Sequence, residues 1–150
     1  MKQLRIGKPE TPELFDEHFD RRWRILRAPW DRLRGSKPDE LDEIADHVTV
    51  RHEDARLLGI GRLHMNNAQL AQIRYKATEE FCRGFGIGRA LMGRLEEIAI
   101  GRGAERIVLN ARSAVVGFYQ RFDFAVTGPG PTLFDKLKHS RTEKRILRRQ

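Results

Sequence analysis

The chain has 150 residues and a mass of 17.4 kDa, enough for one domain whose core needs no disulfide or metal, so a single domain over residues 1–150 is expected. Hydrophobic residues make up 39% and charged residues 33% of it, which excludes global disorder, and no apolar run approaches the roughly 20 residues of a membrane span. Lys and Arg outnumber Asp and Glu by 29 to 21, and the resulting charge of +8 favours partners that carry phosphate.

Two helices are predicted near the start of the chain. Thr11-Pro12 opens the first, because proline suits the first helical turn, and Pro29 ends it. Its apolar face consists of Phe15, Phe19, Trp23 and Leu26. A second, shorter helix is predicted from Asp39 to Asp46, and its inner face would carry Leu41, Ile44 and Ala45.

Three extended segments follow and are predicted to form an antiparallel meander. They cover Val48–His52, Leu57–Met65 and Leu70–Thr78, with a hairpin turn at Asn66-Asn67. In the third segment, small and apolar side chains alternate with polar ones. Strict alternation would place Ala71, Ile73, Tyr75 and Ala77 on one face and Gln72, Arg74 and Lys76 on the other.

The second half of the chain is predicted to alternate helices and strands. Helical spacing begins at Ile87 and ends near Gly101. The remaining predicted elements are a short strand at Ile107–Leu109, a helix at Ala114–Arg121, and strands at Phe122–Thr127 and Leu137–Ile146. This order predicts an α/β fold with a mixed, largely antiparallel sheet flanked by helices.

A glycine-rich turn from Arg83 to Arg89 connects the third strand to the long helix. Its glycines allow backbone N–H groups to converge, and the helix N-terminus adds about half a positive charge there. An anionic group is therefore the expected ligand. The dinucleotide pattern G-x-G-x-x-G/A does not fit these glycines, and the chain has no Gly-Lys-Ser/Thr of a nucleotide P-loop.

The turn resembles the pyrophosphate-binding segment of the GNAT superfamily of N-acetyltransferases, whose pattern Arg-x-x-Gly-x-Gly falls on Arg83, Gly86 and Gly88. Further similarities stand at family-like distances in Leu109–Arg112, Phe118-Tyr119 and Phe122–Phe124. The resemblance is strong from about residue 70 to residue 128. It implies a GNAT-like acyl-CoA N-acyltransferase fold and transfer of an acetyl group from acetyl-CoA to an amine acceptor, by direct attack in a ternary complex.

The resemblance also implies where acetyl-CoA would bind. Its pyrophosphate would lie on the turn, and its pantetheine arm would run beside the strand that ends at Thr78, which would diverge from Arg106–Asn110. Asn110 would hold the arm or a water from the far lip, or would instead terminate its strand by bonding to backbone. The expected cofactor-binding residues are Ala77, Thr78, Arg83, Gly84, Phe85, Gly86, Ile87, Gly88, Arg89 and Asn110.

Two side chains are expected to serve catalysis. An amine acceptor is almost fully protonated at neutral pH, so a base or a water relay must remove a proton, and Glu79 beside the strand end is the candidate base. Tyr119 is positioned as in family members that use a tyrosine as general acid, although a purely structural aromatic residue would look the same. Cys82 is not expected to be a nucleophile, because no feature of the sequence supplies a base for its thiol. It is expected to be a small residue at the strand end.

The sequence also bears on other functions and partners. A non-catalytic GNAT-fold module that senses CoA or binds nucleic acid is the alternative. Nucleic-acid binding is not expected, because the basic segment from Arg141 to Arg149 lacks interleaved aromatic residues. No metal site is expected, since the histidines show no zinc-site spacing with Cys82. The absence of a signal peptide pattern and of a membrane span favours the cytoplasm, and a homodimer stays open.

Overall fold

The computed structural model describes residues 4–26, 40–82, 84–133 and 137–146. The elements in chain order are β1 (Leu4–Gly7), α1 (Pro12–Leu26), β2 (Asp46–His52), β3 (Leu57–Met65), β4 (Leu70–Thr78), α2 (Ile87–Gly101), β5 (Arg106–Arg112), α3 (Val116–Gln120), β6 (Ala125–Leu133) and β7 (Leu137–Arg145). Short 3-10 turns cover Glu80–Cys82 and Ser113–Val115. None of the helices in these ranges has the length and apolar character to cross a membrane.

The seven strands form one sheet in the order β1-β2-β3-β4-β5-β7-β6. Strands β4 and β5 pair in parallel and are connected through α2, while the other neighbouring pairs are antiparallel. This topology confirms the predicted mixed, largely antiparallel sheet flanked by helices. It also confirms the meander of β2, β3 and β4, whose last turn is held by the Asn67 side chain, which accepts hydrogen bonds from the N–H groups of Gln69 and Leu70.

Helices cover both faces of the sheet. The buried side of α2 consists of Ile87, Leu91, Met92, Leu95 and Ala99, as its helical spacing predicted. These residues pack into the main core together with Ile73 of β4 and Leu109 of β5. On the opposite face, Ile25 and Leu26 of α1 pack against a smaller cluster that includes Ala77. Because α2 starts shortly after β4 ends, its N-terminus lies at the end of the sheet where this central strand finishes.

A β-bulge in β4 changes which side chains face α2. The register pairs Ile60 with Ala77 and Arg62 with Arg74. Between these two pairs β3 advances by two residues and β4 by three, so β4 contains one extra residue. Tyr75, inside this step, has a φ of +55°, in the left-handed region. The predicted strict alternation is therefore wrong beyond Ile73: Ala77 packs on the α1 side of the sheet rather than with Ala71 and Ile73.

The helix predicted from Asp39 to Asp46 does not form. Asp39 lies outside the described residues, and residues 40–44 make turns in which the Leu41 carbonyl accepts hydrogen bonds from Ile44 and Ala45. Ile44, predicted to face inward, is 73% exposed. The physical reason is that Asp46 already pairs with Leu63 as the first residue of β2, so sheet pairing overrides the short helical pattern.

Several other boundaries differ from the sequence predictions. Strand β1 was not predicted, and β5 extends well beyond Ile107–Leu109 because it pairs with β7 over its full length. The helix predicted from Ala114 begins as a 3-10 turn. Strand β6 begins at Ala125 rather than Phe122, since Asp123 takes a φ of +69° and completes a turn after α3.

His18 of α1 is a buried histidine whose ring is kept neutral. It is 1% exposed and packs edge-on against Phe19 and His47, with ring centroids 5.6 and 5.1 Å away. Burial, together with the nearby His47 and Arg22, lowers the pKa of His18 from 6.5 to about 3. Protonating this ring in the folded chain is therefore unfavourable over most of the acidic pH range.

We expect His18→Phe to make the free energy of unfolding less dependent on pH. Below about pH 6.5 the unfolded chain binds a proton at His18, whereas the folded chain does so only near pH 3. Between these values the parent loses stability as pH falls, by up to about 1.4 kcal/mol per pH unit from this residue. Urea denaturation at several pH values measures the slope, with His52→Gln as the control, and an unchanged slope in His18→Phe would contradict the assignment.

Candidate active site

A cleft of about 1400 Å³ opens where β4 and β5 separate. The two strands pair from Leu70 with Arg106 to Ile73 with Leu109, and beyond that point neither pairs with the other in the described residues. The open edge of β4 forms one wall, and β5 with α3 forms the other. The strand that ends at Thr78 was expected to diverge from Arg106–Asn110, but it pairs with Arg106–Leu109 and diverges only from Asn110 onward. The glycine-rich turn and the start of α2 lie at the mouth.

The charged side chains that line the cleft in the described part of the chain are cations. Its charged or basic lining side chains in the described part of the chain are Arg74, Lys76, Arg89, Arg112, Arg121 and His139, and no Asp or Glu is among its lining residues there. Since like charges repel and an anion relieves that repulsion, the electrostatics of this surface favour an anionic ligand. No group of three or more His, Cys, Asp or Glu side chains suited to a metal occurs in the described ranges.

The turn provides a helix N-terminus that no side chain caps. Gly84 and Gly86 have φ values of +88° and +83°, and Gly86 is the N-cap of α2 without a side-chain hydrogen bond. The N–H groups of the first helical turn therefore lack acceptors within the helix. Gly86 needs its glycine for the left-handed backbone rather than for space, because a Cβ there would meet nothing within 4 Å. Arg83 lies outside the described residues.

Gly88 allows α3 to pack against the start of α2. A Cβ on Gly88 would lie 2.9 Å from Cζ of Phe118, closer than packed atoms approach one another. The Phe118 ring also contacts Phe122, with centroids 5.0 Å apart. The third glycine of the turn therefore has a packing role, in addition to the ligand-binding role expected from the sequence.

Ala77, Thr78 and Asn110 lie where the sequence predicted, around the cleft. Ala77 and Thr78 pair with Ile60 and Gly59 of β3 on one side, while the other edge of β4 borders the cleft. Asn110 is half-buried on the opposite wall and pairs with Arg141 of β7. The separation of β4 and β5 therefore places the open edge of β4 and Asn110 on opposite walls of the same cleft.

Tyr119 lies in the cleft on a platform of aromatic rings. Its ring stands edge-on to Phe118 at 5.0 Å and to Phe124 at 6.3 Å. Burial raises the pKa of Tyr119 from 10 to about 12, so its hydroxyl stays protonated at any working pH. The hydroxyl has no hydrogen-bond partner among the described residues, which leaves it able to donate to a ligand.

Lys76 lies in the cleft, on the face of β4 that carries Ala71 and Ile73 and not on the face that strict alternation predicts. Its Nζ lies 4.4 Å from the ring centroid of Phe118 and 5.1 Å from that of Tyr119. Burial lowers the pKa of Lys76 from 10.5 to about 8. The bulge at Tyr75 turns this side chain toward α2 and α3, and the alternating pattern of β4 carries no signal for a bulge at that position.

Glu79 faces α1 instead of lining the cleft. Arg24 donates from Nη2 to Oε1 at 2.5 Å, and Nη1 of Arg21 lies 3.4 Å from Oε2. The carboxylate is 12% exposed. Cys82, three residues later, is fully buried, and burial raises the pKa of its thiol, which agrees with a structural role at the strand end.

Known proteins resemble this chain in sequence and in fold. The model of the acetyltransferase (GNAT) family matches residues 11–124. An uncharacterized N-acetyltransferase of Bacillus subtilis strain 168 is 30% identical over 93 residues, which span 59% of this chain and 61% of that protein. Crystal structures of other proteins share the fold, including the following two. An acyl-CoA N-acyltransferase from Pseudomonas aeruginosa has a TM-score of 0.73 and 17% identity over 95% of this chain and 98% of its own. A GNAT family acetyltransferase from Elizabethkingia anophelis with acetyl-CoA bound has a TM-score of 0.69 and 15% identity over 97% and 100%.

We expect Gly88→Ala to destabilise the chain although alanine favours helices. The added methyl group would press on Phe118, and overpacking of this kind costs about 1–3 kcal/mol. Gly93→Ala is the matched control on the same helix, since a Cβ there meets nothing within 4 Å, and it should stabilise by up to about 1 kcal/mol. Urea denaturation of both variants measures the difference. A gain in stability for both would show that α3 does not pack on Gly88.

Proposed function

The chain belongs to the acetyltransferase (GNAT) family, and on that basis we propose that it transfers the acetyl group of acetyl-CoA to an amine by direct attack in a ternary complex. The observation that supports this most directly is a cleft that has no carboxylate among its described lining residues and that ends on a helix N-terminus whose N-cap, Gly86, has no side chain. Acetyl-CoA carries phosphates at one end and a thioester at the other. A cationic mouth and an aromatic interior suit those two ends.

We assign the phosphates of acetyl-CoA to the turn and the start of α2. Backbone N–H groups and the helix dipole attract phosphate at such a terminus. The proposed contacts are Arg83, Gly84, Phe85, Gly86, Ile87, Gly88 and Arg89. The pantetheine arm would lie along the open edge of β4, where Ala77 and Thr78 offer backbone groups, with Asn110 opposite them.

In the proposed reaction, the nitrogen of a neutral amine attacks the thioester carbonyl carbon. The carbonyl oxygen becomes negatively charged, and a backbone N–H at Ala77 or Thr78 stabilises it. The C–S bond then breaks, its electron pair stays on sulfur, and Tyr119 donates a hydrogen bond to the thiolate as it forms. An ordinary thiol has a pKa of about 8.5, well below the value of about 12 for Tyr119. Full proton transfer from the phenol is therefore uphill, and the hydrogen bond itself carries most of the stabilisation.

We propose that the proton of the acceptor leaves through Glu79, reached by a water relay. Arg21 and Arg24 hold the two carboxylate oxygens of Glu79, so direct contact with the acceptor would require Arg24 to move away. A water between the amine and the carboxylate needs no such movement. This geometry favours the relay over direct proton abstraction by Glu79.

We expect Gly86→Asp to weaken CoA binding at least about tenfold, because it adds negative charge where the proposed phosphates meet the helix dipole. Gly93→Asp makes the same change at an exposed position of α2 that does not line the cleft, and should bind like the parent. Calorimetric titration with CoA measures both affinities, with circular dichroism to check folding. Equal affinities for a folded Gly86→Asp and the parent would refute the placement.

We expect Tyr119→Phe to lower kcat by about 10- to 150-fold while acetyl-CoA affinity and melting temperature change little. The variant keeps the ring on Phe118 and removes one hydrogen bond to a charged atom, an interaction that contributes about 1.5–3 kcal/mol. Release of free CoA thiol with a panel of primary amines provides the kinetic measurement. An unchanged kcat would make Tyr119 a packing residue, and a large fall in melting temperature would make its hydroxyl part of the fold.

A further inference from the structure

The amine of Lys76 lies in the cleft beside the first turn of α2, between α2 and α3. Its Nζ is 3.5 Å from the position that a Cβ on Gly88 would occupy and 4.4 Å from the ring centroid of Phe118. The ring centroid of Tyr119, the residue that we assign to the departing thiolate, lies 5.1 Å from the same Nζ. Lys76 also precedes Ala77 and Thr78, one of whose backbone N–H groups we assign to the thioester carbonyl. A lysine side chain is long enough to reach that carbonyl from its own strand.

The surroundings of Lys76 disfavour its charged form. The other charged and titratable side chains that line the cleft are Arg74, Tyr75, Cys82, Arg89, Arg112, Tyr119, Arg121 and His139, and within the described residues no carboxylate joins them. The rings of Phe118 and Tyr119 are among its contacts. With its pKa lowered by burial to about 8, about a quarter of Lys76 is free amine at pH 7.5, against roughly 0.1% of an exposed lysine with the ordinary value of about 10.4.

We propose that Lys76 is an acetyl acceptor of the chain's own cleft, modified by acetyl-CoA bound there. This inference rests on the proposed function. The neutral Nζ attacks the thioester carbonyl carbon, the C–S bond breaks with its electron pair on sulfur, and an amide forms at Lys76. The proton lost by Nζ passes to water, the thiolate takes a proton from solvent, and CoA leaves. No oxidant or further reactant is required.

Acetylation at Lys76 would limit the activity of the chain that carries it. The amide has no positive charge, so the cleft loses one of its cations. It is also bulkier than the amine and stands against Phe118 and Gly88, beside the proposed path of the pantetheine arm. An acetylated chain should therefore bind CoA more weakly than an unmodified one.

The test incubates the full chain with acetyl-CoA and no added amine, then follows acetylation at each lysine by peptide mass spectrometry. Lys138, which is exposed on β7, provides the reference in the same digest. We expect Lys76 to react at least about tenfold faster than Lys138 at pH 7.5. Its rate should rise toward a plateau above about pH 8 as the amine loses its proton, and should not change on dilution of the protein. Excess CoA should suppress acetylation at Lys76 and leave Lys138 unaffected.

Two results would overturn the proposal, and they are distinguishable from failure of the proposed function. Equal rates at Lys76 and Lys138, insensitive to CoA, would mean ordinary reaction in solution. An unmodified Lys76 in a chain whose melting temperature rises with acetyl-CoA would leave the donor site intact and refute self-acetylation alone. No rise in melting temperature would reject both. Lys76→Arg retains the positive charge but removes the acceptor amine. The intact mass of this variant should lack the acetyl group that the parent gains at Lys76.

Discussion

The left-handed backbone at Tyr75 is the constraint on which the site depends. A non-glycine residue at a positive φ costs about 1–3 kcal/mol and persists only where its surroundings hold it. Here the Tyr75 ring is covered by the guanidinium groups of Arg22 and Arg62, 4.2 and 4.8 Å from its centroid. The extra residue at this point coincides with the end of β4–β5 pairing at Ile73, and it reverses the faces of the side chains that follow. The position of Lys76 follows from this bulge, and the open edge of β4 that borders the cleft begins beside it.

Charge is divided between the two faces of the sheet in a way that keeps the cleft cationic. On the α1 side, Arg22 and Arg62 donate to Asp42, and Arg21 and Arg24 contact Glu79. These carboxylates are committed to arginines away from the cleft. The uncapped N-terminus of α2 adds positive potential at the mouth, so the arrangement favours a ligand that brings its own negative charge.

The aromatic wall of α3 acts on two ionisable groups in opposite senses. Burial beside Phe118 raises the pKa of Tyr119 to about 12 and lowers that of Lys76 to about 8, because a poorly solvated site penalises phenolate and ammonium alike. The phenol is thereby kept as a hydrogen-bond donor, and the amine is brought close to its nucleophilic form. Both properties suit acyl transfer, in which a thiolate must leave and an amine must attack. Gly88 is part of the same arrangement, since it permits Phe118 to approach α2.

Local patterns in the sequence determined the elements whose signals are strong and continuous. Helical spacing from Ile87 and the runs at Leu57–Met65 and Leu70–Thr78 correspond to α2, β3 and β4, and the glycine pattern identified the family and the turn. Those signals are periodicity, turn chemistry and a short motif, all of which lie within a few residues of one another. Tertiary contacts decided the rest. Pairing with β3 replaced a helix at Asp46 by a strand, and the bulge at Tyr75 turned Lys76 into the cleft. Arg21 and Arg24 of α1 pair with Glu79 and hold its carboxylate outside the cleft. Each of these outcomes depends on a partner distant in the chain, and for that reason the local pattern alone did not specify it.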